Sequence, residues 1–519
     1  MSNTCPVVYV RGYAMTSKAV EETFNLPYYG FNLGSTQYRQ GGGHDPEMHI
    51  FESPVIRLMK DHDYVDAFGQ FADTRGEPIP DSVPGKTDWR RTLWIFRYYD
   101  PESSLFNEER PVFPQYAVRL LMFLNKVRVA CGDPEGFRVN LVAHSMGGLI
   151  CRCYLQNAKF LEDYAAPDKN PGIDPELLKT VTVNKLFTFG TPHRGIRFRN
   201  ALGPVNWVRE MTGGLREDQF TPRYMRGYLG LGSNDDPNVY RPQPYAPALN
   251  HTFSLVGTNA ADYVVGGSRL AVGAKSDGLV LTENAYIHAG PRAYIHRAHS
   301  GPLGVVNSEE GYQNLRRFLF GNAAFQARLR FGRVSGRLPG TDRRDVLRYL
   351  TVEVGISIRG LAGYLDMRNE REFTAEQISL SEAGDTFVPS GGKDPVLYTG
   401  YLFAYRECRR DHRAASGDEY SRWVVDLVIK PHYERERLFT TSRFEGDHFL
   451  DDRLELALGD EKAEKPFVYR WQNHDTITRE PDTEDPPPGV RARYVIDLPR
   501  PALRYLEDVQ LVVDVMDWD

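Results

Sequence analysis

The chain has few cysteines for its length, and this scarcity excludes one class of protein at once. Its 519 residues contain five cysteines at scattered positions, and an odd number without paired spacing argues against a disulfide-stapled secreted scaffold. No cysteine is spaced with a histidine in the pattern of a zinc site. We therefore predict that all five are small, buried apolar side chains, namely Cys5, Cys131, Cys151, Cys153 and Cys408.

The sequence also lacks a long apolar run and an excess of positive charge. No stretch approaches the roughly 20 apolar residues that a membrane-spanning helix requires. The net charge is −6, so no broad basic surface is expected and nucleic acid is not an expected partner. The first six residues lack the basic and apolar segments of a secretory signal and run directly into the apolar residues 7–10. A cytoplasmic location is the resulting default expectation.

Two hydrophobic patterns divide what is present into two regions. In residues 1–322, strand-like apolar runs alternate with helical spacing, which predicts a mostly parallel sheet flanked by helices. In residues 323–519, apolar and polar residues alternate with a period of two, which predicts an antiparallel β-sandwich. The tryptophans of this second region, Trp423, Trp471 and Trp518, are expected in its core rather than as membrane anchors.

An insertion interrupts the first region. Residues 199–250 are rich in Gly, Pro, Tyr and Arg and lie between two strand-like runs, 183–189 and 253–256. Two interpretations remain open at this point. The segment is either a lid or acyl-pocket wall over the sheet, or a packed surface insertion.

The most informative motif is the run Val-Ala-His-Ser-Met-Gly-Gly at residues 142–148. It follows a strand-like run and precedes a helix-like one, and a serine at such a turn is a nucleophile-elbow pattern. The sharp turn crowds its neighbours against the adjacent strand, and the small residues Ala143 and Gly147 satisfy that constraint. The turn also directs the backbone N–H of Met146 toward an oxyanion forming at Ser145.

A serine hydroxyl needs a base, and the base needs an orienting carboxylate. In elbow-type enzymes the acid follows the serine in sequence and the histidine comes last. Asp277, before a glycine turn, is the candidate acid. His299 is the favoured base because it lies in a loop, whereas the alternative base, His296, ends a strand-like run.

Two other histidines lie near these motifs. His144 adjoins the serine in sequence, but the turn is expected to aim its ring elsewhere. His193 is expected to form a wall of the site rather than to act as a base.

Together the motifs resemble those of bacterial lipases and esterases of the α/β-hydrolase superfamily. The resemblance covers about residues 7–320 and rests on four runs in the family's order. These are residues 142–148, Phe-Gly-Thr-Pro-His-Arg-Gly at 189–195, Ser-Asp-Gly-Leu-Val at 276–280 and His-Ser-Gly at 299–301. It implies an α/β-hydrolase fold in which Ser145 is the acylated nucleophile, His299 the general base and Asp277 its orienting acid. It does not extend to residues 323–519.

The family takes the second oxyanion N–H from the loop after the first core strand, usually at a His-Gly pair. This chain has Arg11-Gly12-Tyr13 there, so the resemblance makes the N–H of Tyr13 the candidate donor. Some family members also carry a structural calcium or zinc ion, which leaves a structural Ca²⁺ or Zn²⁺ open. The run at residues 44–49 contains two histidines, but its proline and the preceding glycines favour a solvated loop. No cofactor and no catalytic metal are expected.

The sequence thus predicts a serine hydrolase that cleaves carboxylic esters through an acyl-enzyme, as a lipase or esterase acting on lipid-like acyl esters. Transient contact with a membrane or lipid surface would accompany such a substrate. One alternative is an acyltransferase or amidase that uses the same three residues. Another is a binding protein whose hydrolase fold is catalytically inactive. The oligomeric state and the preferred acyl chain length are not defined by the sequence.

Overall fold

The computed structural model describes a large part of the chain, in two compact units that span Met1–Leu319 and Phe320–Asp519. All structural statements below concern these described residues. They are 4–12, 35–39, 47–51, 53–67, 88–96, 113–157, 159, 180–196, 217–263, 275–301, 303–335, 345–358, 361, 363–369, 372–383, 386–390, 394–403, 420–437, 440–459, 466–474 and 476–518.

The first unit is built on a seven-stranded sheet in which every paired strand is parallel to its neighbour. Its strands are β1 (Val7–Val10), β4 (Val65–Asp66), β5 (Thr92–Phe96), β6 (Arg138–His144), β7 (Thr182–Phe189), β8 (Thr252–Gly257) and β9 (Arg292–Ile295), and a separate hairpin pairs β2 (Ser35–Arg39) with β3 (Glu47–Phe51). The order across the sheet is β4-β5-β1-β6-β7-β8-β9. Strand β6 is central and buried over five consecutive residues, and four of these five are apolar, the exception being Asn140, so its sequence does not alternate.

Helices accompany these strands. They are α1 (Pro54–His62), α2 (Phe113–Ala130), α3 (Met146–Gln156), α4 (Pro222–Tyr228) and α5 (Glu309–Phe320). Every residue of α3 is buried, so this helix is a core element rather than a surface one. Leu149 of α3 is fully buried in the core, as are Leu120 and Leu124 of α2. Helix α3 begins directly after β6, and the turn between them carries Ser145.

The described part of the insertion, residues 217–250, closes the C-terminal end of α3. The last carbonyls of a helix have no donor within the helix. Here Tyr245 Oη donates to Tyr154 O at 2.9 Å, and the N–H of Gln243 donates to Leu155 O at 3.0 Å. Gln243 Nε2 donates to Gln156 O at 2.9 Å. These contacts favour a packed insertion over a mobile lid for residues 217–250, while residues 199–216 lie outside the described part of the chain.

The second unit consists of antiparallel β-sheets. One sheet contains β10 (Ala323–Arg330), β16 (Val396–Leu402), β21 (Asp482–Glu484), β22 (Ala492–Asp497) and β24 (Gln510–Asp517). The other contains β11 (Arg333–Ser335), β12 (Asp345–Ile358), β13 (Tyr364–Asp366), β14 (Thr374–Ala383), β15 (Thr386–Pro389), β17 (Tyr420–Arg437), β18 (Thr440–Glu445), β19 (Leu450–Gly459), β20 (Phe467–Trp471) and β23 (Leu506–Glu507). A short helix, α6 (Arg500–Leu503), precedes β23.

Aromatic side chains join the two sheets of this unit. Phe325 of one sheet lies 5.1 Å from Trp423 of the other between ring centroids, and Phe467 stacks on Tyr494 at 4.3 Å. All three tryptophans predicted for the core are buried, at 0%, 2% and 5% exposure for Trp423, Trp471 and Trp518. The predicted fold class, an α/β-hydrolase fold followed by an antiparallel β-sandwich, is confirmed.

The cysteines and helices agree with the composition. Cys5, Cys131, Cys151 and Cys153 are buried and free, as predicted, and Cys408 lies outside the described residues. None of the helices in the described ranges combines the length and apolar character needed to cross a membrane.

Candidate active site

Ser145 occupies a strained turn. Its backbone has φ 51° and ψ −125°, a positive-φ conformation that residues other than glycine rarely adopt. Three hydrogen bonds hold it there. Its N–H donates to Phe189 O at 2.9 Å, and its carbonyl accepts from Thr191 Oγ1 at 2.9 Å and from the N–H of Gly148 at 3.1 Å. The strain is therefore maintained by the neighbouring strand end and the segment that follows it.

Close packing explains the small residues around this serine. A Cβ built on Gly147 would lie 2.7 Å from Arg11 O, at the end of β1. Ala143 is fully buried, in keeping with the predicted crowding. Gly148 is also constrained, because a Cβ there would lie 2.7 Å from Thr191 Cγ2. This role of Gly148 and Thr191 is not evident from the local sequence, since it joins segments more than forty residues apart.

The structure brings the three predicted residues into one hydrogen-bonded chain. Ser145 Oγ lies 2.8 Å from His299 Nε2, and His299 Nδ1 lies 2.8 Å from Asp277 Oδ2. A carboxylate only accepts, so Nδ1 carries the proton toward Asp277 and Nε2 is left to accept from the serine hydroxyl. His299 is 3% exposed and Asp277 is 0% exposed, so the hydrogen bond between them is shielded from bulk water.

Asp277 is held by backbone groups on its other side. Its Oδ1 accepts from the N–H of Leu279 at 3.0 Å and of Val280 at 2.7 Å. A buried carboxylate needs such donors, because without them desolvation makes its charge costly. The turn requires glycine at residue 278, where φ is +101° and a Cβ would lie 2.6 Å from the ring of Tyr263.

The backbone and ring of His299 are enclosed as well. Its N–H donates to Asp277 O at 2.8 Å, and its carbonyl accepts from His144 Nε2 at 2.9 Å. The rings of Tyr263 and His299 pack edge to face, with their centroids 5.9 Å apart. Burial and the adjacent imidazole of His299 lower the pKa of His144 to about 3, so that ring is neutral near pH 7. His144 was expected to aim away from the site, but it contacts the backbone of His299.

The rings of His296 and His193 each contact a threonine side chain. His296 directly follows β9, and its Nδ1 is 3.4 Å from Thr258 Oγ1 rather than beside the serine. His193 is fully buried, and its Nε2 lies 3.0 Å from Thr188 Oγ1. Burial holds the pKa of His193 well below its ordinary value.

The loop after β1 passes directly beside Ser145. A Cβ built on Gly12 would lie 3.2 Å from Ser145 Cβ and 2.7 Å from His144 Nδ1, so only glycine fits there without displacement. Met146 opens α3, with its backbone N–H at the helix N-terminus. Tyr13, the candidate second donor, lies outside the described residues.

Among the residues that the structure describes, no three His, Cys, Asp or Glu side chains are grouped to hold a metal ion. Of the run at residues 44–49, the first three positions lie outside the described residues, and the rest belong to β3.

A fully buried arginine, Arg152, joins helix α3 to the insertion. Arg152 donates to Gln156 Oε1 at 2.9 Å and to His193 O at 3.0 Å. It also donates to two carbonyls of the insertion, Pro237 O at 3.0 Å and Val239 O at 2.7 Å. All four acceptors are neutral, so the charge is stabilised by carbonyl and amide dipoles. Nothing in the local sequence of α3 indicates this role.

Comparisons with known proteins give distant structural likenesses only. No protein-family model and no curated protein matches the chain. Phospholipase PlaB from Legionella pneumophila aligns at a TM-score of 0.29 and 13% identity, over 85% of this chain and 90% of its own. The same phospholipase in complex with thio-NAD aligns at a TM-score of 0.32 and 13% identity. This alignment covers 90% of this chain and 91% of the phospholipase. A candidate cell surface hydrolase from Lactobacillus plantarum WCFS1 aligns at a TM-score of 0.25 and 13% identity. This alignment covers 61% of this chain and 89% of the hydrolase.

Proposed function

We propose that this protein is a serine hydrolase that cleaves carboxylic esters through an acyl-enzyme intermediate. The observation that carries the proposal is the chain of two 2.8 Å hydrogen bonds from Ser145 through His299 to Asp277. Two further features support it: the strained backbone of the serine and the burial of the acid. Structural carboxylate–histidine pairs are common, but a hydroxyl on a strained strand-to-helix turn at the free imidazole nitrogen is typical of acyl-transfer enzymes.

In the proposed reaction, Ser145 Oγ attacks the ester carbonyl carbon while His299 Nε2 takes the hydroxyl proton. The tetrahedral intermediate then collapses, the C–O bond to the alcohol breaks, and the imidazolium gives its proton to the departing alkoxide. Water hydrolyses the acyl-enzyme by the same sequence, with His299 again as base. Asp277 keeps Nδ1 protonated and stabilises the imidazolium that forms in each half-reaction.

The negative charge on the carbonyl oxygen needs donors that are already in place. We assign the N–H of Met146 as one donor, because it opens α3 beside the nucleophile. We assign the N–H of Tyr13 as the other, supported by the approach of Gly12 to Ser145. Each such donor contributes about 3 kcal/mol to transition-state stabilisation.

We further propose that the substrates are lipid-like acyl esters, which makes the protein a lipase or esterase that contacts a lipid surface during turnover. This step is supported by the resemblance of the four motifs to those of bacterial lipases and esterases. A panel of p-nitrophenyl esters with short and long acyl chains, offered in solution and in micelles, tests it. Faster hydrolysis of long-chain esters in micelles is expected, and activity confined to short soluble esters would reduce the proposal to an esterase.

The nucleophile is tested by substitution and by a covalent probe. A fluorophosphonate should label the wild-type protein at Ser145, located by mass spectrometry of the modified peptide. Ser145→Ala should lower ester hydrolysis by roughly 10⁴-fold or more without changing the unfolding temperature. Undiminished hydrolysis in that variant would contradict the proposal. Product analysis with glycerol present would separate hydrolysis from acyl transfer, because an acyltransferase would form a new ester faster than free acid.

A further inference from the structure

The base residue of the proposed site is fixed by its backbone as well as by its ring. On one side, the N–H of His299 donates to Asp277 O at 2.8 Å. On the other, its carbonyl accepts from His144 Nε2 at 2.9 Å. The peptide groups of a loop residue usually turn to water, so two protein partners on one residue mark a position that the fold holds in place.

The second of these partners has an unusual place in the chain. His144 is the last residue of β6 and is covalently joined to Ser145. Its bond to the carbonyl of His299, together with the bond from His299 Nε2 to Ser145 Oγ, therefore closes a small ring of atoms. If the loop that carries His299 shifts relative to the strand that carries Ser145, one of these two hydrogen bonds has to lengthen.

The chemistry of His144 suits a fixed strut rather than a second base. A backbone carbonyl only accepts, so Nε2 of His144 carries a proton and donates it. Its other nitrogen, Nδ1, faces the loop after β1, where a Cβ on Gly12 would lie 2.7 Å away. The ring thus fills the space between that loop and the base. Because burial and His299 keep its pKa low, His144 adds no second positive charge when His299 takes up a proton.

We propose that His144 is a positioning residue, which sets the distance between the nucleophile and the base by donating to the backbone carbonyl of His299. It transfers no proton itself. The inference rests on the proposed function, since it assigns His144 a part in that reaction. Misplacement of a reacting group by about 1 Å can cost on the order of 100-fold in rate, so a bond that fixes this distance has a measurable effect.

Two substitutions separate hydrogen-bond donation from simple space filling. His144→Gln places an amide N–H near the position of Nε2, whereas His144→Ala removes the donor. We expect His144→Ala to lower kcat by roughly 10- to 100-fold with KM changed less than about threefold. His144→Gln should retain kcat within about fivefold of wild type. The rate of fluorophosphonate labelling at Ser145 should follow the same order, since labelling requires the same activated hydroxyl.

The outcomes distinguish this inference from the proposed function. Wild-type protein that is neither labelled nor active would overturn both. Labelled, active wild-type protein with an Ala variant of equal activity would overturn the positioning role alone, as would a Gln variant as slow as the Ala variant.

A third measurement covers the case in which both variants fail to fold. The measurement uses the His193→Gln variant, because buried His193 is a second neutral imidazole whose Nε2 faces a hydroxyl, that of Thr188. ¹⁵N spectra of this histidine-labelled variant should still show a neutral imidazole with its proton on Nε2 from about pH 5.5 to 8. If no such signal remains, the positioning role is overturned.

Discussion

Each of the two units contains a buried aspartate that orients a histidine. In the first unit, Asp277 Oδ2 lies 2.8 Å from His299 Nδ1, and in the second, Asp452 Oδ2 lies 2.9 Å from His474 Nδ1. In both pairs the other carboxylate oxygen accepts two backbone N–H groups. The donors are those of Leu279 and Val280 for the first pair and those of Arg453 and Asn473 for the second.

The two pairs differ in what surrounds the histidine. The side chain of His299 is 3% exposed, and its free nitrogen meets the hydroxyl of Ser145. The side chain of His474 is 34% exposed, and within the described residues no hydroxyl is hydrogen-bonded to its free nitrogen. A buried aspartate–histidine pair therefore does not by itself identify a catalytic site. What sets the first pair apart is a serine hydroxyl on a strained turn and the low exposure of the histidine side chain.

The largest expected difference between the two pairs is the effect on kcat of substituting their histidines. His299→Ala should lower kcat by roughly 10⁴-fold or more, because the proposed nucleophile loses its base. The matched change His474→Ala should leave kcat within about twofold. His296→Ala, three residues from the proposed base, serves as a second control. Comparable losses from His299→Ala and His474→Ala in the ester assay would refute the distinction drawn here.

The aspartates should show a split between activity and stability. Asp277→Asn should lower kcat by about 10⁴-fold, since an amide no longer holds the required tautomer of the imidazole. Asp452→Asn should leave kcat unchanged but reduce the free energy of unfolding by about 1–3 kcal/mol, because the hydrogen bond from His474 to a buried carboxylate is lost. Ester assays and urea unfolding of both variants measure the two effects. A loss of activity in the Asp452 variant at full stability would assign the second pair a catalytic part.

Acid should weaken the first unit. Burial lowers the pKa of His144 to about 3 and holds the pKa of His193 well below its ordinary value, so both stay neutral when folded. Once unfolded, they bind protons below about pH 6.5, and the unfolded state then holds more protons than the folded one. The free energy of unfolding should therefore fall by about 1.4 kcal/mol per pH unit for each such histidine.

Urea unfolding at pH 7, 6 and 5, followed by probes in each unit, measures this slope. His193→Gln should reduce the slope for the first unit, whatever its effect on stability at pH 7. The interpretation fails if the slope is the same in that variant as in the wild type.

Much of the site was within reach of the sequence, because its motifs are local. The serine turn has a constrained composition at residues 142–148, and the order of acid and histidine along the chain narrowed their candidates to Asp277, His299 and His296. The alternation patterns likewise predicted the parallel sheet and the antiparallel sheets, since burial on one face or two leaves a distinct period.

The rest depends on contacts between distant residues, which local patterns do not encode. Arg152 meets acceptors 85 and 87 positions away, and Thr191 meets the carbonyl of Ser145 across 46 positions. His144 contacts the backbone of His299 across 155 positions. Nothing in the neighbouring sequence distinguishes these side chains from ordinary core residues, so only the folded chain assigns them partners.

The closure of α3 by the insertion bears on how this protein can be engineered. A segment that supplies the donors for a core helix is not an exchangeable module. Replacing residues 217–250 with a loop from another protein would remove two of the four acceptors of the Arg152 guanidinium and the donors to three helix carbonyls. A replacement segment would have to keep Gln243 and Tyr245, because both donate to carbonyls of α3. The insertion and α3 are therefore best exchanged together as one unit.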